Sequence, residues 1–207
     1  MTDGYSYDPV QRAYLNSSGH PVSIDVIRAL RDKWADIQAD VMQDFVRHVA
    51  DGSWSMAEFE AAARVWLGET IGAGYQLGRG GQAMMTADDA FELARLIAEQ
   101  ARRMETLIAD KQGNLISDAM FEARAEAHAG AAVHAFEVGQ EQAAGGLDLP
   151  GYPADGETSC GERCRCYWSI EETDEAWEAT WITVGDERVC PECEERGIEW
   201  SPFVQTK

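Results

Sequence analysis

At 207 residues, 45% of them hydrophobic and 26% charged, the chain can bury the core of one ordinary domain with a small module appended, and wholesale disorder is excluded. Its formal net charge of −20 is spread along the whole length, with 14 acidic against 5 basic side chains in residues 150–207 alone. A surface of this sign repels phosphate backbones, because counterion release requires Lys and Arg, so no direct nucleic-acid contact is expected.

The first nine residues, Met1-Thr2-Asp3-Gly4-Tyr5-Ser6-Tyr7-Asp8-Pro9, lack a basic start followed by an apolar run, and no later stretch has the length of a membrane span. A soluble, unsecreted protein is expected, with no membrane contact. Residues 1–20 mix Gly, Pro, Asn, Ser and three tyrosines without a period and read as an irregular arm.

From Ser23 the pattern changes. Val26, Ile27, Leu30, Trp34, Ile37, Val41, Phe45 and Val49 recur every three or four residues, which predicts a long amphipathic helix ending near Asp51-Gly52. Ser55-Met56-Ala57-Glu58 matches a capping box and starts a second helix on Phe59, Ala62, Ala63, Trp66 and Ile71. Glycines at 68, 72, 74, 78, 80 and 81 weaken that helix, so residues 72–81 read as a frayed end, a close-packed crossing or a loop. A phosphate loop is the functional alternative, but the missing Gly-Lys-Ser/Thr ending and the absence of a preceding strand weigh the tract towards packing and turn.

Thr86-Ala87-Asp88-Asp89 caps a third helix carried by Phe91, Leu96, Ile97, Ala101, Met104, Leu107 and Ile108, stopping near Lys111-Gln112-Gly113. A fourth starts at Ser117 and runs, rich in alanine, to the turn Ala144-Gly145-Gly146. The segment from Leu149 to Gly156 holds two prolines and two glycines and ends the helical region. Beyond it the period is two: Cys164, Cys166, Trp168 and Ile170 share one side of a candidate strand, and Trp177, Ala179 and Trp181 one side of another, with Glu171 to Glu175 as the hairpin connection.

All five cysteines lie in this last region, as Cys160, Cys164 and Cys166, then Cys190-Pro191-Glu192-Cys193. An odd number of local thiols in C-x3-C and C-x2-C groupings points to one tetrahedral zinc in a reducing compartment and away from a disulfide frame. Cys190 and Cys193 form one half of the ligand set, and two of Cys160, Cys164 and Cys166 the other. Four thiolates close the coordination shell, so the ion is expected to hold structure and not to activate water. His20, His48, His128 and His134 are scattered and form no His-Glu-x-x-His, and the acidic pairs read as solvated charge. No catalytic residue and no enzyme activity are expected. Four tryptophans, Trp168, Trp177, Trp181 and Trp200, exceed what so small a module readily buries, which predicts that some cover the metal and at least one docks on the helices or on a partner.

The succession Leu149-Pro150-x-Tyr152-Pro153-x-Asp155-Gly156, Cys160, Cys164-Arg165-Cys166-Tyr167-Trp168, Cys190-Pro191-x-Cys193 and Trp200-Ser201-Pro202-Phe203 resembles tailed-phage head morphogenesis proteins, the minor head proteins of the phage Mu F-like group. The helix of Ser117-Asp118-Ala119 and Glu122-Ala123-Arg124-Ala125 resembles the one that leads into that module, so the likeness spans roughly residues 114–204. Many members place Cys-Pro-x-Cys before Cys-x-Cys, whereas here the order is reversed. The resemblance implies a minor virion component that meets the portal protein, the major capsid protein or both, assists head assembly or DNA packaging, and passes through the host cytoplasm on the way to the head.

The expectation is therefore a mainly α protein: an arm over residues 1–20, a multi-helix bundle over 21–146, and a zinc-ribbon-like β-hairpin module over 147–207. Self-association is compatible with it. The alternative function is an intracellular zinc-ribbon adaptor in transcription or nucleic-acid processing, against which the charge counts.

Overall fold

The computed structural model describes residues 4–8, 10–11, 13–161, 164, 166–183 and 189–207. Helices dominate. Helix α1 spans Ile24–Ala50, with the Ser23 hydroxyl accepting from the Asp25 N–H at its start. Helix α2 spans Met56–Arg79 behind the expected capping box: Ser55 Oγ accepts from the Glu58 N–H at 3.3 Å, and Glu58 accepts from the Ser55 N–H at 2.7 Å. Helix α3, Ala87–Gln112, carries a second such box on Thr86 and Asp89. Asp89 also accepts from the Tyr75 hydroxyl at 2.6 Å and Arg79 Nε at 2.8 Å, so the cap of α3 ties it to the end of α2.

The predicted fourth helix is broken. Helix α4, Asp118–Ala127, gives way to a 3-10 turn over His128–Gly130 before α5, Ala131–Ala144. The break re-aims the chain so that α5 crosses α2, while Phe121 of α4 packs on Phe59 with ring centroids 5.3 Å apart. The core of the bundle gathers Phe59, Leu67, Ile71, Leu96, Met104 and Phe121.

The glycine tract is a close-packed crossing followed by a turn. Helix α2 continues through it to Arg79, and Gly80 then caps it in the left-handed conformation at φ 92°. A Cβ on Gly74 would stand 2.3 Å from the Ala132 carbonyl oxygen, and one on Gly78 would stand 2.0 Å from that of Phe136. Gly139 of α5 meets Tyr75 O in the same way at 2.4 Å. These glycines let two backbones touch. A Cβ at Gly68 meets nothing within 4 Å. Gly68→Ala should therefore raise stability by about 0.5–1 kcal/mol through helix propensity, and Gly78→Ala should lower it by about 1–3 kcal/mol or more through overpacking. Urea titrations of the two variants check the opposite signs.

Helix α1 departs from its hydrophobic stripe. Ile27, Met42 and Val46 are buried as expected, yet Val26 and Ile37 are exposed while Arg28, Arg31 and Gln38 are buried. The buried face is turned towards polar partners described below. Phe91, read as part of the apolar face of α3, also points to solvent.

The amino-terminal arm is not irregular. It forms an antiparallel sheet of β1 (Tyr5–Asp8), β2 (Ala13–Asn16) and β3 (Pro21–Val22), in that order. Strands this short leave no readable period. They are held by side-chain turns and by the bundle: Asn16 Oδ1 accepts from the N–H groups of Ser18 and His20, Tyr7 N–H donates to Gly80 O at 2.9 Å, and the buried Tyr14 hydroxyl donates to Gly78 O at 2.7 Å.

The carboxyl-terminal module is a second antiparallel sheet, β4 (Tyr167–Glu172), β5 (Ala176–Ile182) and β6 (Phe203–Thr206), with helix α6 (Pro191–Glu199) before the last strand. The expected hairpin is present, with Trp168 opposite Trp181 and Trp177, Ala179 and Trp181 on its buried face. Glu171 and Glu172 belong to β4, so the connection is shorter than expected, and Thr173 closes it by bonding Ala176. Helix α6 and the third strand were not foreseen. Among the described residues no helix is long and apolar enough to cross a membrane.

Candidate metal centre

Two local devices present the thiols. On the first side Gly161, at φ 56°, makes the turn: its N–H donates to Thr158 O at 2.8 Å, and the Cys164 N–H donates to Gly161 O at 3.2 Å. Cys160 and Cys164 thereby face the same way. On the second side Cys190 is the N-cap of α6 with Pro191 at the first helical position, where the ring costs no hydrogen bond. Cys193 follows within the first turn, so both thiols sit at the positive end of the helix.

The two sides converge. Cys160 Sγ lies 3.5 Å from Cys193 Sγ and 3.4 Å from Cys190 Sγ, and Cys164 Sγ lies 3.5 Å from Cys193 Sγ. Cys160, Cys190 and Cys193 form one group of mutually close sulfurs, Cys164, Cys166 and Cys193 another, and Cys193 belongs to both. A tetrahedral ion with metal–sulfur bonds of about 2.3 Å needs sulfurs about 3.8 Å apart. The contacts are within a few tenths of an ångström of that edge. All five thiols are free, so no disulfide competes with coordination. The donor set thus fits a thiophilic divalent metal.

The electrostatics agree with a site that exchanges protons for a cation. The hydrogen bond from Cys166 holds the Cys164 thiol down at about 5. Burial pushes Cys160 up to about 12 and raises Cys193, and the bond to Cys164 raises Cys166. Against its burial, hydrogen bonds from Cys160 and Cys193 lower Cys190 as well, so two thiols are held down and three up, and a metal would displace protons from the raised ones.

Tryptophans wall the cluster. Trp168 meets Trp181 edge-on with centroids 5.3 Å apart, and Trp200 lies 6.0 Å from Trp168 in a stacked arrangement. Arg196 of α6 caps the cage 4.9 Å from the Trp200 centroid and reaches Asp155 at 3.2 Å. Trp168 Nε1 donates to Gly151 O at 2.9 Å. Trp168 and Trp181 share one buried core with Cys164, Cys166, Cys190 and Cys193, and Trp200 packs against it.

Docking on the helices uses residues that the reading of the chain missed. Glu137 of α5 is fully buried and pairs with Arg31 of α1 at 2.6 Å. Its other oxygen accepts from the Trp168 N–H at 3.2 Å, and Arg28 Nη2 donates to Trp168 O at 2.7 Å. Two charged side chains of the bundle, Glu137 and Arg28, thus hold both backbone groups of one residue of β4, and Arg31 braces Glu137. Nothing in the local spacing of α1 or α5 marks these charges as buried.

The histidines take no part in the cluster. His128 and His134 are buried in the bundle, His134 edge-on to Tyr152 at 5.4 Å and His128 beside Gln100. His48 stacks on Trp54. Among the described residues the close groups of ligating side chains contain thiols alone. No protein-family model, curated protein or solved structure matches the chain.

Proposed function

We propose that this chain is a minor structural protein of a tailed-phage head, in which one zinc ion on four cysteine thiolates staples a small docking module to a helical bundle. The observation that carries the reading is that, among the described residues, the close ligating side chains are thiols alone: four thiolates close a metal's coordination shell, such a site supplies rigidity, and rigidity is what a docking module needs. The close contacts run from Cys190 to Cys160, to Cys193 and to Cys164, and these four are the ligands; Cys166 stays outside as the thiol bonded to Cys164.

The residues that carry the phage resemblance are those that build the module. Leu149 is buried beneath it, Tyr152 bonds Glu141, Asp155 holds Arg196, and Trp168 and Trp200 wall the cysteines. The same motif would then keep its function by keeping one docking shape. The partners are the portal protein, the major capsid protein or both, and the acidic surface keeps the chain off packaged DNA.

Co-expression with the portal and capsid proteins of the same genome tests this. The chain should co-purify with a portal ring or with assembled heads, carry stoichiometric zinc, and pass through a DNA column. Absence from both assemblies, or DNA retention that falls steeply with salt, would sink the reading in favour of the adaptor.

A further inference from the structure

Between the two small sheets lies a cleft of about 470 Å³, bounded by Tyr7, Tyr14 and Val22 on one side and by β4 on the other, with Arg28 and Gln140 at its floor. Four consecutive residues of β4, Ser169 to Glu172, line it. Side chains alternate across a strand, so a cavity touching four in a row runs along the strand's edge and not across one face.

That edge is open. Strand β4 is terminal in the order β4-β5-β6. Trp168 turns its N–H and C=O away from β5, to Glu137 and Arg28, and Trp181 opposite turns its own to Ser201. Two residues on, the same phase points the Ile170 N–H and C=O into the cleft. Neither has a hydrogen-bond partner among the described residues. Beneath them, two buried side-chain atoms also lack partners: Arg28 Nε, on a residue only 8% exposed, and Gln140 Oε1. An unpaired main-chain donor and acceptor on the wall of a cleft suit something that offers both in return. An extended peptide backbone does.

We propose that this cleft takes an extended, basic segment of another protein, added as a fourth strand to the edge of β4. The edge from Ser169 to Glu172 has room for about 13 Å of strand. Main-chain pairing with Ile170 supplies affinity, and the wall of Tyr14 and Val22 takes alternate side chains. The exposed Glu171 carboxylate at the rim and the net charge of −20 select Lys or Arg. A second copy of the chain is the wrong occupant, because edge-to-edge pairing of two β4 strands would set Glu171 and Glu172 of both copies against each other. This inference is independent of the phage reading.

Two acetylated hexapeptides of alternating valine with lysine, or valine with glutamate, serve as probes for ¹⁵N-labelled full-length protein. The lysine peptide should shift the amide signals of residues 169–172 and slow hydrogen exchange at Ile170, and the glutamate peptide should bind about tenfold more weakly. Ile170→Pro removes an N–H that β5 does not use, so the variant should keep its near-ultraviolet circular dichroism and lose the lysine peptide. Glu171→Lys, which leaves the backbone untouched, should reverse the preference between the peptides. Unmoved signals over 169–172, an unprotected Ile170 amide, or an unchanged preference in Glu171→Lys would overturn the proposal.

Discussion

Cys193→Ser should weaken zinc binding about a hundredfold and destabilise residues 147–207, whereas Cys166→Ser should leave the affinity unchanged. Cys193 is the one thiol common to both close groups, fully buried where the turn of Gly161 meets the first turn of α6. Structural zinc contributes about 10–16 kcal/mol, so one of four thiolates carries roughly 3 kcal/mol, on the order of a hundredfold in affinity. The module has few other resources: beyond the tryptophans its buried set is small, and the cysteines are part of it. Metal analysis after desalting, with competition against a chromophoric chelator, reads the affinity. Near-ultraviolet circular dichroism reads the indole cage of Trp168, Trp181 and Trp200. An unchanged zinc affinity in all five single Cys→Ser variants would end the assignment of the ion to these thiols. Loss in Cys166→Ser with retention in Cys160→Ser would exchange those two in the ligand set.

Arg31→Met should destabilise the protein by about 3–5 kcal/mol, the cost of leaving a buried carboxylate without its partner. Glu137 is 0% exposed and Arg31 is 2% exposed, so water cannot replace the lost guanidinium. Adding Glu137→Gln should recover part of the loss, because glutamine carries no charge yet can still accept from the Trp168 N–H; glutamate to leucine would orphan that N–H. The pH dependence has a definite sign. Burial raises the Glu137 carboxyl above 4.5 even beside Arg31, and removing Arg31 raises it further. A carboxyl whose folded value lies above its unfolded value contributes stability at low pH that is lost as the pH rises through the folded value. The penalty of Arg31→Met should therefore shrink as the pH is lowered from 7 towards 4.5. Urea titration at several pH values measures it, and a penalty that grows on acidification would refute the account.

Legibility followed the range of the interaction. The capping boxes at Ser55 and Thr86 were readable because cap and partner are three residues apart. The tryptophans of β5 were readable because alternation is a property of one strand. The thiol groupings were readable because ligands on one turn must be near in sequence. The strands at Tyr5–Asp8 and Ala13–Asn16 were not, since four residues carry no period and their stability comes from contacts with Gly78 and Gly80. The break at His128–Gly130 was hidden in a run of good helix formers, where tertiary packing and not propensity decides the direction.

Taken alone, the chain determined where α1, α2, α3 and α4 begin and which region gathers the cysteines, both of which follow from spacing. Tertiary structure alone decided which glycines are contacts, which cysteine joins both halves of the cluster, and that Arg28 and Glu137, the latter braced by Arg31, hold Trp168. Those partners stand 106 residues apart for Arg31 and Glu137 and 140 apart for Arg28 and Trp168. No local pattern announces a buried charge whose complement arrives from that distance; it becomes favourable only when the fold has removed both groups from water together.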